Sequence, residues 1–129
     1  KEYRNVNTPY AMEDFHFARE GGDFICTLRV VTDGERKNIV GSGNGRLDAV
    51  SNALRNNTNV QFDIMDYKEH ALTKGSTSKA VSYVKIKDCR GLDQWGVGIH
   101  DDIITSSVMA LFSALNRALA QRRAQEGKG

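Results

Sequence analysis

The feature that most narrows what this chain can fold into is a glycine-studded strand end that occurs twice and leads each time into a helical stripe. The first is Val40-Gly41-Ser42-Gly43-Asn44-Gly45, after which Leu47, Val50, Ala53 and Leu54 recur at the spacing of an amphipathic helix. The second is Trp95-Gly96-Val97-Gly98, after which Ile104, Val108, Leu111, Leu115 and Ala118 do the same. Upstream of each, apolar and polar residues alternate with the period of a half-buried strand. Before the first glycines the alternation runs from Ala11 to Phe17 and from Asp23 to Val31, with Phe24, Cys26, Leu28 and Val30 on one face. The turn Glu20-Gly21-Gly22 joins these into a hairpin, and Asp33-Gly34 sends the chain into a third strand from Arg36 to Val40. Before the second glycines, strands are predicted near Val60 to Leu72, Lys79 to Lys87 and Leu92 to Ile99, with a helix from about Ile103 to Arg123.

Three strands and a helix, twice, predict an α+β fold. It consists of two pseudo-symmetric βββα units of about residues 11–57 and 60–124, each an antiparallel three-stranded sheet covered by its helix, in one domain over 1–129. A period of about 55 residues occurring only twice is not a solenoid. The helix ends agree with the stripes. Asn44 or a neighbour can cap the first helix, Asp48 suits its positive N-terminus and Asn56-Asn57 supply a stop; Asp101 and Asp102 precede the second helix, and Arg122 and Arg123 close it.

With 40% apolar and 26% charged residues and one proline, the chain has the balance of a globular domain. Eighteen basic and sixteen acidic residues are scattered rather than gathered into a basic stripe, which argues against a nucleic-acid partner. No apolar run approaches the roughly 20 residues that span a bilayer, and the opening segment KEYRNVNTPY lacks the apolar core of a signal peptide. The expectation is a cytoplasmic protein with no membrane partner. Cys26 and Cys89 stand alone in strand-like segments and read as small buried or half-buried thiols, without a disulfide framework.

No set of residues reads as catalytic or metal-binding. Gly41 to Ala49 reads first as a strand-to-helix turn; second, it reads as a place where backbone N–H groups and a helix N-terminus can take a carboxylate or phosphate. Neither the phosphate-loop nor the dinucleotide pattern fits it. His16, His70 and His100 lie far apart and read as surface or capping residues. Asp66-Tyr67-Lys68-Glu69-His70 concentrates acid, base and phenol, but strand alternation divides these side chains between two faces. Ser106, Ser107 and Ser113 have no base beside them in sequence, and Arg117, Arg122 and Arg123 read as a solvated helix end.

Taken together, the motifs resemble the regulatory domain of the family of 2-isopropylmalate synthase and its relative citramalate synthase. The matching pieces are Gly41-Ser-Gly-Asn-Gly-Arg-Leu-Asp-Ala, Asp66-Tyr-Lys-Glu-His-Ala, Lys79-Ala-Val-Ser-Tyr-Val, Trp95-Gly-Val-Gly-Ile and the stretch from Ser107 to Arg117, and they span roughly Phe15 to Ala120. The resemblance implies a homodimer that binds leucine, the end product of the pathway, at its interface and so inhibits a distant acyl-transfer site. It places the effector against Gly43, Asn44, Gly45, Leu47 and Asp48, with Ile64, Tyr67 and Ala71 lining the aliphatic side chain. It also implies a parent whose separate catalytic (β/α)8 domain uses a divalent metal and acetyl-CoA, while this domain carries no cofactor and no catalysis. One departure stands out: Arg46 follows Asn44-Gly45 where the family usually has proline, so the turn is looser or Arg46 reaches the effector carboxylate. Three alternatives stay open: an isoleucine-sensing domain of the citramalate synthase type, a dimerisation module without an effector, and a small enzyme built on the Asp66 to His70 cluster.

Overall fold

The computed structural model describes residues 10–32, 34–57, 61–74, 77–88 and 91–128, with side chains described for all of these but 72–74, 77–78 and 121–128. The elements run β1 (Ala11–Glu20), β2 (Asp23–Thr32), β3 (Glu35–Gly43), α1 (Arg46–Asn57), then β4 (Phe62–Lys74), β5 (Thr77–Asp88), β6 (Asp93–His100) and α2 (Ile103–Lys128). The strands form two three-stranded sheets in the orders β1-β2-β3 and β4-β5-β6, antiparallel throughout. This is the twice-repeated βββα plan of an α+β fold. Contacts divide the chain into two compact units, Tyr10–Gln61 and Phe62 onward.

In the first unit Glu20 pairs with Asp23 across Gly21 and Gly22, whose φ angles of 61° and 94° are those of a two-residue hairpin turn. Alternation then sorts the side chains. Cys26, Leu28, Val30 and Ile39 are buried together with Ala49, Val50, Ala53 and Leu54 of α1. Removing such an aliphatic side chain from water is worth about 1.5–3 kcal/mol each. The helix lies mainly over β3, and two asparagines fasten it there: Asn52 Nδ2 donates to Ser42 O at 2.6 Å and Asn57 Nδ2 to Val40 O at 3.1 Å.

The glycines before α1 do something other than make a loose turn. Strand β3 continues through Gly41, Ser42 and Gly43, and neither glycine needs a positive φ. What they lack is a Cβ. At Gly41 it would strike the backbone of Ala49 and Ala53, and at Gly43 it would meet Asp48 Cβ at 2.7 Å. The second unit repeats the device, since a Cβ at Gly96 would collide with Ala110 O and Ala114 N, and one at Gly98 with Ser106 O. Both helices therefore lie directly on the backbone of an edge strand, a closeness that only glycine permits.

In the second unit Ala80, Ser82, Val84 and Ile86 of β5 face α2, which packs on β6 and β5. Helix α2 corrects one expectation from the sequence. Its Ile103–Ala120 window of 18 residues has a mean hydropathy of 1.4, enough by length and composition to cross a membrane, yet half of it is buried inside the fold. Val108, Phe112 and Leu115 are buried together with the sheet-facing Ala110 and Ala114, so the buried face of the helix is broader than a single stripe.

Candidate functional site

Ile64, Tyr67 and Ala71 share β4, and simple alternation would set Ile64 and Tyr67 on opposite faces. A β-bulge at Met65 prevents this. The pairing with β5 runs Ile64 to Ile86, skips Met65, and resumes as Asp66 to Lys85 and Tyr67 to Val84. Ile64, Tyr67 and Ala71 then pair with Ile86, Val84 and Ala80, three residues that point toward α2, so all three occupy that face of β4. Asp66 holds the bulge by accepting the Tyr67 backbone N–H on Oδ1 at 2.8 Å. Ile64 is half-buried and Ala71 exposed, and Tyr67 keeps 38% of its surface open.

The Tyr67 hydroxyl is not free. It lies 2.7 Å from Ser107 Oγ, which is 3.1 Å from Ser82 Oγ, which in turn is 2.7 Å from Ser106 Oγ. Ser106 and Ser107 each donate to the Ile103 carbonyl at 2.9 Å. With the single hydrogens of those two serines committed to Ile103, Tyr67 is the donor to Ser107, and the one hydrogen of Ser82 is shared between Ser106 and, at longer range, Ser107. Ser82, Ser106 and Ser107 are all at most 5% exposed, so the relay satisfies hydroxyls that would otherwise be stranded in the core. In sequence Ser106 and Ser107 show only that no base stands beside them. The available signal was Ser106-Ser107 in the first turn of an otherwise apolar helix, with Ser82 at a helix-facing position of β5.

The other five predicted residues belong to the first unit. Gly43 ends β3, Asn44 and Gly45 form the bend, and Leu47 and Asp48 lie in the first turn of α1, Leu47 half-buried and Asp48 exposed. A Cβ at Gly45 would make only an ordinary contact, with Asp48 Oδ2 at 3.5 Å. The Arg46 guanidinium sits over the Phe24 ring, 4.7 Å from its centroid and 6.0 Å from that of Phe17. A cation–π contact of this kind is worth about 0.5–1 kcal/mol at an exposed site. Arg46 is thus the first residue of α1, stacked on its own sheet.

The Asp66 to His70 cluster is split between faces, as alternation predicts. While Tyr67 points toward α2, Lys68 and His70 lie on the opposite face with Tyr83, Trp95 and Val97, around a shallow groove of about 520 Å³. His70 meets the Tyr83 ring edge-on at 6.0 Å. His16 is exposed beside Asp14, and His100 Nδ1 accepts the Asp102 backbone N–H at 3.0 Å, a capping role. Cys26 is fully buried, and desolvation pushes its thiol up to about 11; Cys89 lies outside the described residues. Among the described residues no cluster of three or more His, Cys, Asp or Glu could hold a metal ion.

A duplicated βββα domain, with helices bedded on glycine backbone and one aromatic hydroxyl tied into a buried relay, is the class these features define. The family model described as the LeuA allosteric (dimerisation) domain matches residues 1–119, and the chain belongs to that family. It is 44% identical over 126 residues to a 2-isopropylmalate synthase of Helicobacter hepaticus, a match covering 92% of this chain and 22% of that protein. A 2-isopropylmalate synthase of Desulfitobacterium hafniense is 47% identical over 116 residues, covering 90% and 21%, and one of Pseudomonas syringae pv. tomato is 40% identical over 125 residues, covering 97% and 22%. The chain spans about a fifth of the length of these relatives.

Proposed function

We propose that this domain binds leucine and, as a homodimer, passes its occupancy to the acyl-transfer site of a 2-isopropylmalate synthase as feedback inhibition. The observation that carries the reading is the face of β4. The bulge at Met65 gathers Ile64, the Tyr67 ring and Ala71 on one side, a surface suited to an aliphatic chain. In the first unit, taken by itself, the turn from Gly43 to Asp48 offers backbone N–H groups at the start of α1 that suit a carboxylate, and an exposed Asp48 that suits an ammonium. The relatives quoted above are 2-isopropylmalate synthases, which favours leucine over the isoleucine of a citramalate synthase. Leucine and isoleucine differ by the place of one methyl, a discrimination of about 1–3 kcal/mol set by pocket shape.

In this reading the domain performs no chemistry and needs no cofactor. A divalent metal and acetyl-CoA would serve a separate (β/α)8 catalytic part, in the cytoplasm. Calorimetry against the standard amino acids tests it. Leucine is expected to give heat and raise the melting temperature, since a ligand bound only to the native state stabilises it by RT ln(1 + [L]/Kd). A folded dimer that ignores leucine and isoleucine at millimolar concentration would overturn it. That result would favour the second reading, a dimerisation module without an effector, for which the specific observation is Arg46 stacked on Phe24 at the head of α1.

A further inference from the structure

The two repeats can be superposed residue by residue through a shared irregularity. A bulge interrupts β1 between Met12 and Asp14 as one interrupts β4 between Ile64 and Asp66, and Asp14 accepts the Phe15 N–H just as Asp66 accepts that of Tyr67. Phe15 therefore corresponds to Tyr67. The sheet pairings carry the match onward, because Phe15 pairs with Leu28 where Tyr67 pairs with Val84, and Cys26 pairs with Gly41 where Ser82 pairs with Gly98. Gly41 abuts Ala49 and Ala53 where Gly98 abuts Ser106 and Ala110, so Ala49 and Val50 correspond to Ser106 and Ser107. One repeat thus fills this slot with Phe15, Cys26, Ala49 and Val50, and the other with Tyr67, Ser82, Ser106 and Ser107. Since the first set builds the same unit without hydroxyls, the hydroxyls of the second are not needed to build it.

We infer that Ser107, held by Ser82 and the Ile103 carbonyl, is a positioning residue for Tyr67 in effector recognition. By accepting the phenol hydrogen inside the second unit, it leaves the ring alone to line the pocket beside Ile64 and Ala71. A phenol released from Ser107 would bring a hydrogen-bonding group to a surface meant for an aliphatic chain, and would admit polar side chains there. The inference rests on the leucine reading above. It adds that selectivity for an aliphatic over a polar amino acid depends on a residue buried behind the ring.

Calorimetry on the 129-residue chain with leucine and threonine tests it, using Ser107→Ala, Tyr67→Phe and the double variant. Tyr67→Phe keeps the ring but has no hydroxyl to misplace, and its leucine affinity and preference over threonine are the reference for the double variant. Ser107→Ala is expected to weaken leucine about tenfold, the loss of roughly one hydrogen bond's worth of positioning, and to narrow the preference. The double variant is expected to return to the Tyr67→Phe values, because no hydroxyl is left to misplace; a merely structural serine would give no such rescue. Ser107→Thr, which keeps the hydroxyl, is expected to behave as the parent. If Ser107→Ala fails to fold, Ser82→Ala serves in its place. Wild-type binding with unchanged affinity and preference in Ser107→Ala overturns the inference. If the parent does not bind leucine, the effector reading fails, and the Tyr67 ring resonance in tyrosine-labelled protein, assigned by its loss in Tyr67→Phe, decides the positioning. A resonance unmoved by Ser107→Ala overturns it, and a shifted one upholds it.

Discussion

The hydroxyl of Tyr67 and the Oγ of Ser107 lie 2.7 Å apart across 40 residues of sequence, joining an edge strand to the first turn of the helix. Helix α2 otherwise rests on β6 and β5, so this bond ties it to the far strand of the sheet. A change in the Tyr67 ring has a direct mechanical route to the start of α2.

Close packing of helix on strand makes Gly96→Ala damaging. The added Cβ would run into Ala110 O and Ala114 N, backbone atoms that cannot swing aside. A loss of about 1–3 kcal/mol is expected, read from the midpoint of urea unfolding. Gly45→Ala, whose Cβ would make only an ordinary contact and which has no positive φ, is expected to change little. Equal losses at the two positions would show that backbone contact is not what the glycines provide.

Ser51 offers the opposite case. Its Oγ is the one buried side-chain polar atom without a hydrogen-bond partner among the described residues, and it sits in the middle of α1. Ser51→Ala removes an unsatisfied hydroxyl and improves helix propensity, and is expected to stabilise by about 1 kcal/mol. Ser82→Ala, which removes a satisfied buried hydroxyl and its bond to Ser106, is expected to destabilise by about 1 kcal/mol. Thermal unfolding of the two variants should move in opposite directions.

The buried Cys26 thiol supplies a signature at high pH. Desolvation raises it from an ordinary value of 9.0 to about 11, so the unfolded chain ionises first. Its contribution is fully present below about 9 and is lost as pH rises toward 11. The stability difference between the parent and Cys26→Ala is expected to be flat below pH 9 and to shift against the parent above it. A thiol reagent should count the same number of fast-reacting groups in both proteins while they stay folded.

At the start of α2, Asp102 accepts the Thr105 hydroxyl at 2.7 Å and its backbone N–H at 2.9 Å, and these bonds hold its carboxyl below the ordinary 3.8. A folded value lower than the unfolded one gives stability that is present above 3.8 and fades as pH falls through the folded value. Asp102→Ala is expected to lose about 1 kcal/mol at neutral pH. Asp102→Asn keeps a capping oxygen and should retain most of that stability with a flatter acid limb. An unchanged acid limb in Asp102→Asn would mean that the cap is not the source.

Much of the fold was readable because its signals are local. Gly21-Gly22 turns the first hairpin with two positive φ angles, and the alternation of Phe24, Cys26, Leu28 and Val30 does face one way. The end of β3 is less legible, since Gly41 and Gly43 read as a turn in sequence and are strand in the fold. Nothing nearby in sequence announces that Ala49 and Ala53 come to rest on them. The site was less legible for the same reason. Periodicity alone sets Ile64 and Tyr67 on opposite faces, and an extra residue in one strand is invisible until its partner strand is counted against it. The serine relay joins β4, β5 and α2, and only the folded chain brings those together.

The bulge at Met65 acts on β4 as a frameshift acts on a message: every side chain after it is read from the other face. Deleting that one residue would restore perfect alternation and leave Tyr67 opposite Val84, still facing Ser107. The two repeats carry the shift at the same place, so each half keeps its own reading frame, and exchanging segments between them would preserve sense only if both cuts fell on the same side of the bulge.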